Sequence, residues 1–185
     1  TLFVSDQSNH RVLRFDNAAG KANGAAADGV LGQPDFTANA AAVTRSGMAS
    51  PYGVALDPDG RLFVVDYHAH RVTIYENAAA KADGADADGV LGQPDFTTGT
   101  PNTGGRSART LNFPVMAFYD PALPALWVGD IVNNRVLAYG FGITVNTAGS
   151  GTGEVSRVPD GQIFGQDSEV TLSADPAYDT YFTGW

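Results

Sequence analysis

Three aspartate–arginine pairs with the same spacing are the residues of this sequence best suited to ionic chemistry. In each pair an aspartate ends an apolar run, four residues intervene, and an arginine opens a second apolar run. The pairs are Asp6 with Arg11, Asp66 with Arg71, and Asp130 with Arg135. A carboxylate and a guanidinium at this separation can form a bidentate ion pair that holds a turn. Because the pair recurs, whereas catalysis needs one asymmetric site, we interpret the pairs as structural and assign no catalytic residue.

The histidines offer a second kind of chemistry, metal coordination. They are His10, His68 and His70, and the last two point the same way if their segment is extended. The third copy of the motif has Val132 and Asn134 where further ligands would stand. We therefore favour histidines in solvated turns over a histidine metal site.

An acidic loop is a weak candidate for calcium. Asp83, Asp86 and Asp88 place carboxylates at nearby positions before a glycine, as a loop of oxygen ligands requires. Two features oppose this interpretation: the first position of the register is Gly84, and the earlier copy has Ala26 in place of Asp86. A solvated acidic surface is the alternative, and we expect no other cofactor.

Composition narrows the range of functions. The 185 residues carry a formal net charge of -9 and contain no cysteine, so thiolate chemistry is excluded and a nucleic acid is not an expected partner. No apolar stretch approaches the ~20 residues of a membrane span, and we expect no membrane insertion. There is no Gly-x-Ser-x-Gly motif for a serine nucleophile.

The elements that position these residues are repeated. Residues 16–37 recur at 76–97 with 18 of 22 positions identical, and the aspartate–arginine motif recurs three times. We therefore predict a single domain over 1–185 with repeat units at 1–60, 61–124 and 125–180 and the start of a fourth at 181–185. The later block is faint in the third unit, at 161–171.

The repeated block VLGQPDFT predicts packing between neighbouring units. We expect Leu31 and Phe36 to be buried, Gly32 to allow close approach, Pro34 to end a strand, and Gln33 to bind a neighbouring loop. A surface used to bind a partner is the alternative interpretation of this block.

The second unit predicts four short antiparallel strands. Alternating and β-branched runs place them at 51–56, 62–65, 71–75 and 90–92, with a tight turn at the Asp-Pro-Asp-Gly of 57–60 and a long polar loop at 77–88. Four-stranded meanders that need neighbours to cover both faces are typical of propeller blades. The fold class is therefore predicted to be all-β, a β-propeller of four-stranded antiparallel blades with about three blades present.

These units resemble the NHL repeat. The segment GVALDPDGRLFVVDYHAHRVTIYE at 53–76 follows the pattern of that family, and residues 9–12, Asn-His-Arg-Val, reproduce its signature. The resemblance implies a propeller that usually closes with six blades. Since three do not close a ring, we expect a fragment of a longer propeller or a half whose two copies complete one.

The resemblance favours a non-catalytic binding or scaffolding module that contacts a protein partner or a second copy of itself through its loops. The loop residues that we predict for binding are Gln7, Asn9, Tyr67, His68, His70, Asn133 and Asn134. A secreted or cell-surface bacterial setting fits the acidic, cysteine-free composition. The alternatives are a metal-dependent enzyme like the six-bladed lyases and lactonases, which hold a metal in the central channel, and a self-assembling structural protein.

Overall fold

The computed structural model describes residues 1–140 together with the backbone of 153–158 and 171–176. The chain divides into two compact units, Thr1–Tyr139 and Gly140–Trp185. In the second unit, β11 (Gly153–Val158) pairs antiparallel with β12 (Thr171–Pro176). Residues 161–170 of the faint third copy of the block and the expected fourth start at 181–185 lie outside the described residues. The predicted unit boundaries therefore stay predictions.

Residues 1–140 form antiparallel sheets of short strands. The strands are β1 (Leu2–Asp6), β2 (Arg11–Phe15), β3 (Gly29–Leu31), β4 (Pro51–Leu56), β5 (Leu62–Asp66), β6 (Arg71–Tyr75), β7 (Gly89–Leu91), β8 (Pro114–Asp120), β9 (Ala125–Asp130) and β10 (Arg135–Gly140). They make a first sheet β1–β2–β3, a second sheet β4–β5–β6–β7 and a third sheet β8–β9–β10. The prediction of an all-β fold built of blade-like antiparallel meanders is confirmed.

The second sheet shows why the sequence folds this way. Leu56 pairs with Leu62 across the predicted tight turn, where Gly60 has a φ of 83°. The strands β5 and β6 pair from Leu62 with Tyr75 to Asp66 with Arg71, so the aspartate and arginine of the motif face each other across the ladder. The long loop at 77–88 contains one 3-10 turn, Ala78–Ala80. The described residues contain no helix long and apolar enough to span a membrane.

The core lies between the faces of neighbouring sheets. Alternate residues of a strand point to opposite faces of the sheet. A sheet between two others can therefore bury one set of side chains against each neighbouring sheet. A core cluster joins Phe3, Val12 and Leu31 of the first sheet with Leu62 and Val64 of the second. On the other side of the second sheet, the ring of Phe63 stacks on that of Tyr119 with centroids 6.1 Å apart.

The segments that carry the chain from one sheet to the next complete this packing. We call residues 32–50 the first crossing segment and residues 92–113 the second crossing segment. Met48 and Leu111, one in each segment, are fully buried. The crossing segments therefore connect neighbouring sheets and also contribute side chains to the core.

Candidate functional site

Three short loops carry the residues predicted for binding. They span residues 7–10, 67–70 and 131–134, and they join β1 to β2, β5 to β6 and β9 to β10. The last residue of each loop has a left-handed backbone, with φ of 54° at His10, 52° at His70 and 52° at Asn134. We call these three loops, with the ends of the crossing segments beside them, the loop end. The shared geometry shows that the repeat fixes the backbone while the side chains vary.

The aspartate–arginine pairs lie at the base of these loops, and all three form ion pairs. The arginine Nε donates to the aspartate Oδ2 at 2.8 Å in Asp6–Arg11, 3.0 Å in Asp66–Arg71 and 2.7 Å in Asp130–Arg135. The geometry differs from the expected bidentate fork. In the second and third sheets the aspartate Oδ1 instead accepts a backbone N–H of the preceding crossing segment, from Ala49 and Asn112, each at 2.7 Å.

The rest of each guanidinium also binds backbone. Nη1 of Arg11 donates to the carbonyl of Phe36, and Nη1 of Arg71 donates to that of Phe96. Nη2 of Arg71 reaches two further carbonyls in the first crossing segment, at 2.9 and 3.1 Å, and Nη2 of Arg135 donates to Thr110 at 2.6 Å. The pair therefore fastens crossing segments to the base of each loop.

The histidines that end the first two loops accept hydrogen bonds from the crossing segment that follows. His10 Nδ1 accepts the backbone N–H of Ser50, and His70 Nδ1 accepts that of Phe113, each at 3.0 Å. Ser50 and Phe113 both precede a proline and have left-handed φ of 66° and 53°. We call these two contacts the histidine latches. His70 is only 5% exposed, so the expectation of a solvated turn is wrong for this residue.

Backbone contacts connect the three loops along one end of the stack. Tyr67 and His68 donate their N–H groups to the carbonyls of Ser50 and Ala49, at 3.1 and 3.0 Å. The N–H of Val132 donates to a carbonyl of the second crossing segment at 3.3 Å. His68 Nδ1 also lies 2.9 Å from the Ser50 hydroxyl. Because Ser50 contacts the first loop through its latch, it links the first and second loops directly.

Aromatic rings gather around the second loop. The ring of Tyr67 lies 5.1 Å from that of Tyr52, 4.9 Å from His68 and 4.8 Å from Phe113, and the His68 and Phe113 rings are 6.0 Å apart. We call these four side chains the aromatic cluster. Tyr52 is 48% exposed and His68 is also exposed, so the cluster faces solvent while His70 packs beneath it, 4.4 Å from Phe113.

Tyr52 and Phe113 were not among the residues predicted for binding. Both lie beside a proline that opens the first strand of a sheet, Pro51 in β4 and Pro114 in β8. An aromatic residue at the start of a strand is close to the loops of the same end, and this signal could have identified them. Tyr67, His68 and His70 are brought together as a group.

The other predicted binding residues divide into half-buried side chains that make hydrogen bonds and exposed ones. Asn9 and Asn133 donate to the aspartate of their own loop, at 3.0 and 2.8 Å. Asn133 also exchanges amide hydrogen bonds with Asn102 of the second crossing segment, at 2.8 and 3.1 Å. Gln7 and Asn134 are exposed. Asn9 and Asn133 therefore stabilise the loops, whereas Gln7 and Asn134 are open to a partner.

The acidic loop uses its carboxylates within the protein. Asp83 Oδ1 accepts the N–H of Val30 at 2.9 Å, which ties this loop to the first sheet, and Asp88 pairs with Lys81 at 2.7 Å. Asp86 is exposed. Within residues 1–140 and the two strands beyond them, no group of three or more His, Asp or Glu residues is placed to hold a metal ion. The contacts of Asp83 and Asp88 give this loop a structural role.

The repeated block makes hydrogen bonds to the loop end. Gln33 Nε2 donates to the carbonyls of His10 and Ala40, at 3.0 and 2.9 Å, as expected for contact with a neighbouring loop. Leu31 is buried, but Phe36 is 42% exposed, so its predicted burial is wrong. The equivalent residue in the second copy, Phe96, is half-buried, and its ring lies under the guanidinium of Arg45 at 5.1 Å. The two copies therefore differ because a residue of the first crossing segment covers the second ring.

The environment of His70 favours a neutral imidazole. Burial and, to a smaller extent, the nearby His68 lower the pKa of His70, against an opposing effect of Asp130. A neutral ring with the proton on Nε2 leaves Nδ1 free to accept the N–H of Phe113. The electrostatic environment and the hydrogen-bond geometry therefore favour the same protonation state.

Four-stranded antiparallel meanders that pack face to face through crossing segments define the blades of a β-propeller. Residues 48–75 match the family model described as NHL repeat. The matched range includes β4, β5, β6 and the second loop, so these three strands match an NHL repeat, and the resemblance predicted from the sequence is confirmed. No curated protein matches the chain.

Proposed function

We propose that this protein is a binding module that contacts a protein partner through the loop end. NHL repeats commonly build protein-interaction propellers, and the function at this coarse level agrees with the repeat found at 48–75. The observation that carries the proposal is the aromatic cluster, which presents the exposed ring of Tyr52 and the partly exposed ring of Tyr67 beside His68 on an otherwise acidic protein. Tyrosine is enriched in protein interfaces because it offers apolar area and a polar end together.

The loop end is also held by hydrogen bonds and ion pairs in a way that suits binding. The histidine latches and the aspartate–arginine pairs fix the backbone on both sides of the cluster. A surface that is ordered before binding loses less conformational entropy when the partner arrives. The exposed Gln7 and Asn134 on the flanking loops supply polar contacts at the rim.

We further propose a secreted or cell-surface setting. The net charge of -9 and the absence of cysteine are compatible with this setting. Detection of the native protein with an antibody in separated culture medium, surface and cell-interior fractions tests it. Recovery in the cell interior alone would refute it.

The binding proposal is tested by selecting peptides from a displayed random library on the wild-type protein. We expect Tyr52→Ala and Tyr67→Ala each to weaken the selected peptides at least about tenfold, as for interface hot spots. The matched control is Leu56→Ala, which removes an apolar side chain of similar exposure from the opposite end of β4. Peptides that bind the wild type and both tyrosine variants equally would show that the loop end is not the binding surface.

A further inference from the structure

The end of the second crossing segment is held by two consecutive hydrogen bonds, one to the third sheet and one to the second loop. The N–H of Asn112 donates to Oδ1 of Asp130, at the end of β9, at 2.7 Å, and the N–H of Phe113 donates to Nδ1 of His70 at 3.0 Å. The first crossing segment ends in the same way. An imidazole accepts a hydrogen bond on Nδ1 only while it is neutral. The histidine latch is therefore the contact of the two that can respond to a pH near neutrality.

Phe113 depends on this contact because of its backbone. Its φ of 53° lies in the left-handed region, which residues with large side chains rarely adopt. It also precedes Pro114, and the residue before a proline favours an extended backbone. The latch therefore holds Phe113 in a conformation that its own sequence disfavours, and loss of the latch lets the residue move toward the extended region.

Phe113 connects the latch to the aromatic cluster. Its ring lies 4.4 Å from that of His70 and 4.8 Å from that of Tyr67, and the ring of Tyr67 is 5.1 Å from that of Tyr52. A change of φ at Phe113 displaces its ring from Tyr67, because the ring belongs to the residue that moves. An open latch therefore removes one of the rings that pack the cluster together.

Few charged groups surround His70. The groups that influence its titration are His68, on the same loop, and Asp130, which is paired with Arg135. At the base of the loop, the carboxylate and the guanidinium of the second aspartate–arginine pair neutralise each other. The residues of the second crossing segment that form hydrogen bonds with His70 are uncharged, namely Gln93 and Phe113. Burial lowers the pKa of His70, so its ring takes up a proton on the acidic side of the usual value of about 6.5.

We propose that protonation of His70 switches the loop end from a closed form to an open form. In the closed form the ring is neutral, the latch is formed and the aromatic cluster is assembled. A proton taken up from solvent makes Nδ1 a donor that cannot accept the N–H of Phe113, so the latch opens and the Phe113 ring leaves Tyr67. The rearrangement needs no partner. Its consequence, the loss of partner binding in acid, rests on the function proposed for the loop end.

Nuclear magnetic resonance of the ¹⁵N-labelled protein tests the rearrangement, in a titration from about pH 8 to about pH 5. We expect the amide signal of Phe113 to shift with the same midpoint as the ring nitrogens of His70, and the ring contact between Phe113 and Tyr67 to weaken over the same range. His70→Asn is the matched variant, because the Oδ1 of asparagine lies close to the position of Nδ1 and accepts a hydrogen bond without titrating. In this variant the Phe113 signal and its contact with Tyr67 should not depend on pH. His10→Asn changes only the other latch and should keep the wild-type response.

Three results would overturn the proposal. The first is a contact between Phe113 and Tyr67 that persists after His70 is protonated. The second is a wild-type response of Phe113 in His70→Asn, or its loss in His10→Asn, since either would place the titrating group elsewhere. The third is unfolding of the whole protein before His70 is protonated, seen by circular dichroism, because the latch would then not open within the folded protein.

Histidine-free peptides selected on the wild-type protein at neutral pH test the consequence for binding. One pH unit below the midpoint only about one-tenth of the molecules keep the latch closed, so the apparent Kd should rise about tenfold. In His70→Asn the Kd should be the same at both pH values. Peptides that bind the wild type equally at both values would overturn the link between the latch and binding. A library that yields no peptide would contradict the proposed function alone, because the titration of Phe113 decides on the switch without a partner.

Discussion

The aspartate–arginine motif occurs in two different environments. One copy lies in the second sheet, between two other sheets, and another lies in the first sheet, which has only one described neighbour. Both side chains of the Asp66–Arg71 pair are fully buried, whereas those of Asp6 and Arg11 are 26% and 16% exposed. The sequence motif, the strand register and the Nε contact are shared. The difference comes from the neighbours, because the second sheet has a covering sheet on each side.

This difference changes the electrostatics of the two carboxylates in opposite directions. Burial raises the pKa of Asp66, although Arg71 and the N–H of Ala49 act to lower it. Burial also acts to raise the pKa of Asp6, but hydrogen bonds from Asn9 and Arg11 outweigh it, and the pKa of Asp6 is lowered. One motif therefore provides the same contacts at very different desolvation costs.

The largest predicted effect is the loss of Arg71. Arg71→Ala leaves the buried carboxylate of Asp66 without its cation and releases three backbone carbonyls, so we expect it to lower the free energy of unfolding by roughly 3–5 kcal/mol. Arg11→Ala should cost clearly less, because water can reach Asp6. Urea titration of both variants measures the two free energies.

The control for this comparison removes both charges. Asp66→Leu combined with Arg71→Met replaces the buried pair with apolar side chains, and we expect the double variant to be more stable than Arg71→Ala alone. Equal losses for Arg71→Ala and Arg11→Ala would show that burial of the second sheet does not determine the strength of the motif.

The glycine of the repeated block gives the next largest effect. Gly92 has a φ of 88°, and a Cβ there would lie 2.5 Å from Leu111 Cδ1 and 3.1 Å from the carbonyl of His70. Gly92→Ala therefore adds overpacking to backbone strain, and we expect a loss of roughly 2–4 kcal/mol.

Gly60 is the matched control because its φ is 83° but nothing lies within 4 Å of its Cβ position. Gly60→Ala should show the strain alone, about 1 kcal/mol in the free energy of unfolding. If thermal and urea unfolding give the same loss for both variants, close packing of the block against the second crossing segment is not the cause.

The latch of His70 predicts a dependence of stability on pH. The pKa of His70 in the folded protein lies below the usual value of about 6.5, so the folded state binds fewer protons than the unfolded state. The contribution of His70 is complete above about pH 6.5, and it is lost as the pH falls toward the folded pKa. We expect the free energy of unfolding, measured in urea, to fall between pH 7.5 and 5.5.

His70→Asn isolates this effect. Asparagine occupies the same place in the third loop, at Asn134, with the same left-handed backbone, so the substitution is compatible with the loop. We expect the variant to be less stable at pH 7.5 and to have a weaker pH dependence. His68→Asn, which removes a histidine outside the latch, is the control. A wild-type pH dependence in His70→Asn would mean that the latch does not titrate.

The strands could be predicted from local sequence because each is a short alternating run between strong turn signals. The predicted 51–56 and 71–75 coincide with β4 and β6, and the Asp-Pro-Asp-Gly turn joins β4 to β5. The buried faces follow from the same alternation. Phe36 and Phe96 show the limit of this approach, since identical blocks place one ring in solvent and the other under Arg45.

The candidate site was harder to predict because its contacts join residues that are far apart in the sequence. His10 and His70 bind N–H groups that are 40 and 43 residues further along, in a crossing segment whose path local patterns do not determine. Tyr67 and His68 were identified from loop position alone. Tyr52 and Phe113 come next to Tyr67 only in the folded arrangement, with ring centroids 5.1 and 4.8 Å away.

The smallest expected effects come from a second repeated ion pair whose environment is the same in both copies. Lys21 pairs with Asp28 at 2.8 Å and Lys81 with Asp88 at 2.7 Å, and the exposures are nearly equal, 23% and 36% against 21% and 35%. Since water screens both pairs, Lys21→Met and Lys81→Met should each lower the free energy of unfolding slightly and to the same extent. Urea titrations of both variants at low and high salt provide the measurement. A much larger loss of unfolding free energy in Lys81→Met than in Lys21→Met would show that proximity to the second sheet strengthens even exposed ion pairs. In that case, burial of the individual pair would no longer explain the contrast between Arg71 and Arg11.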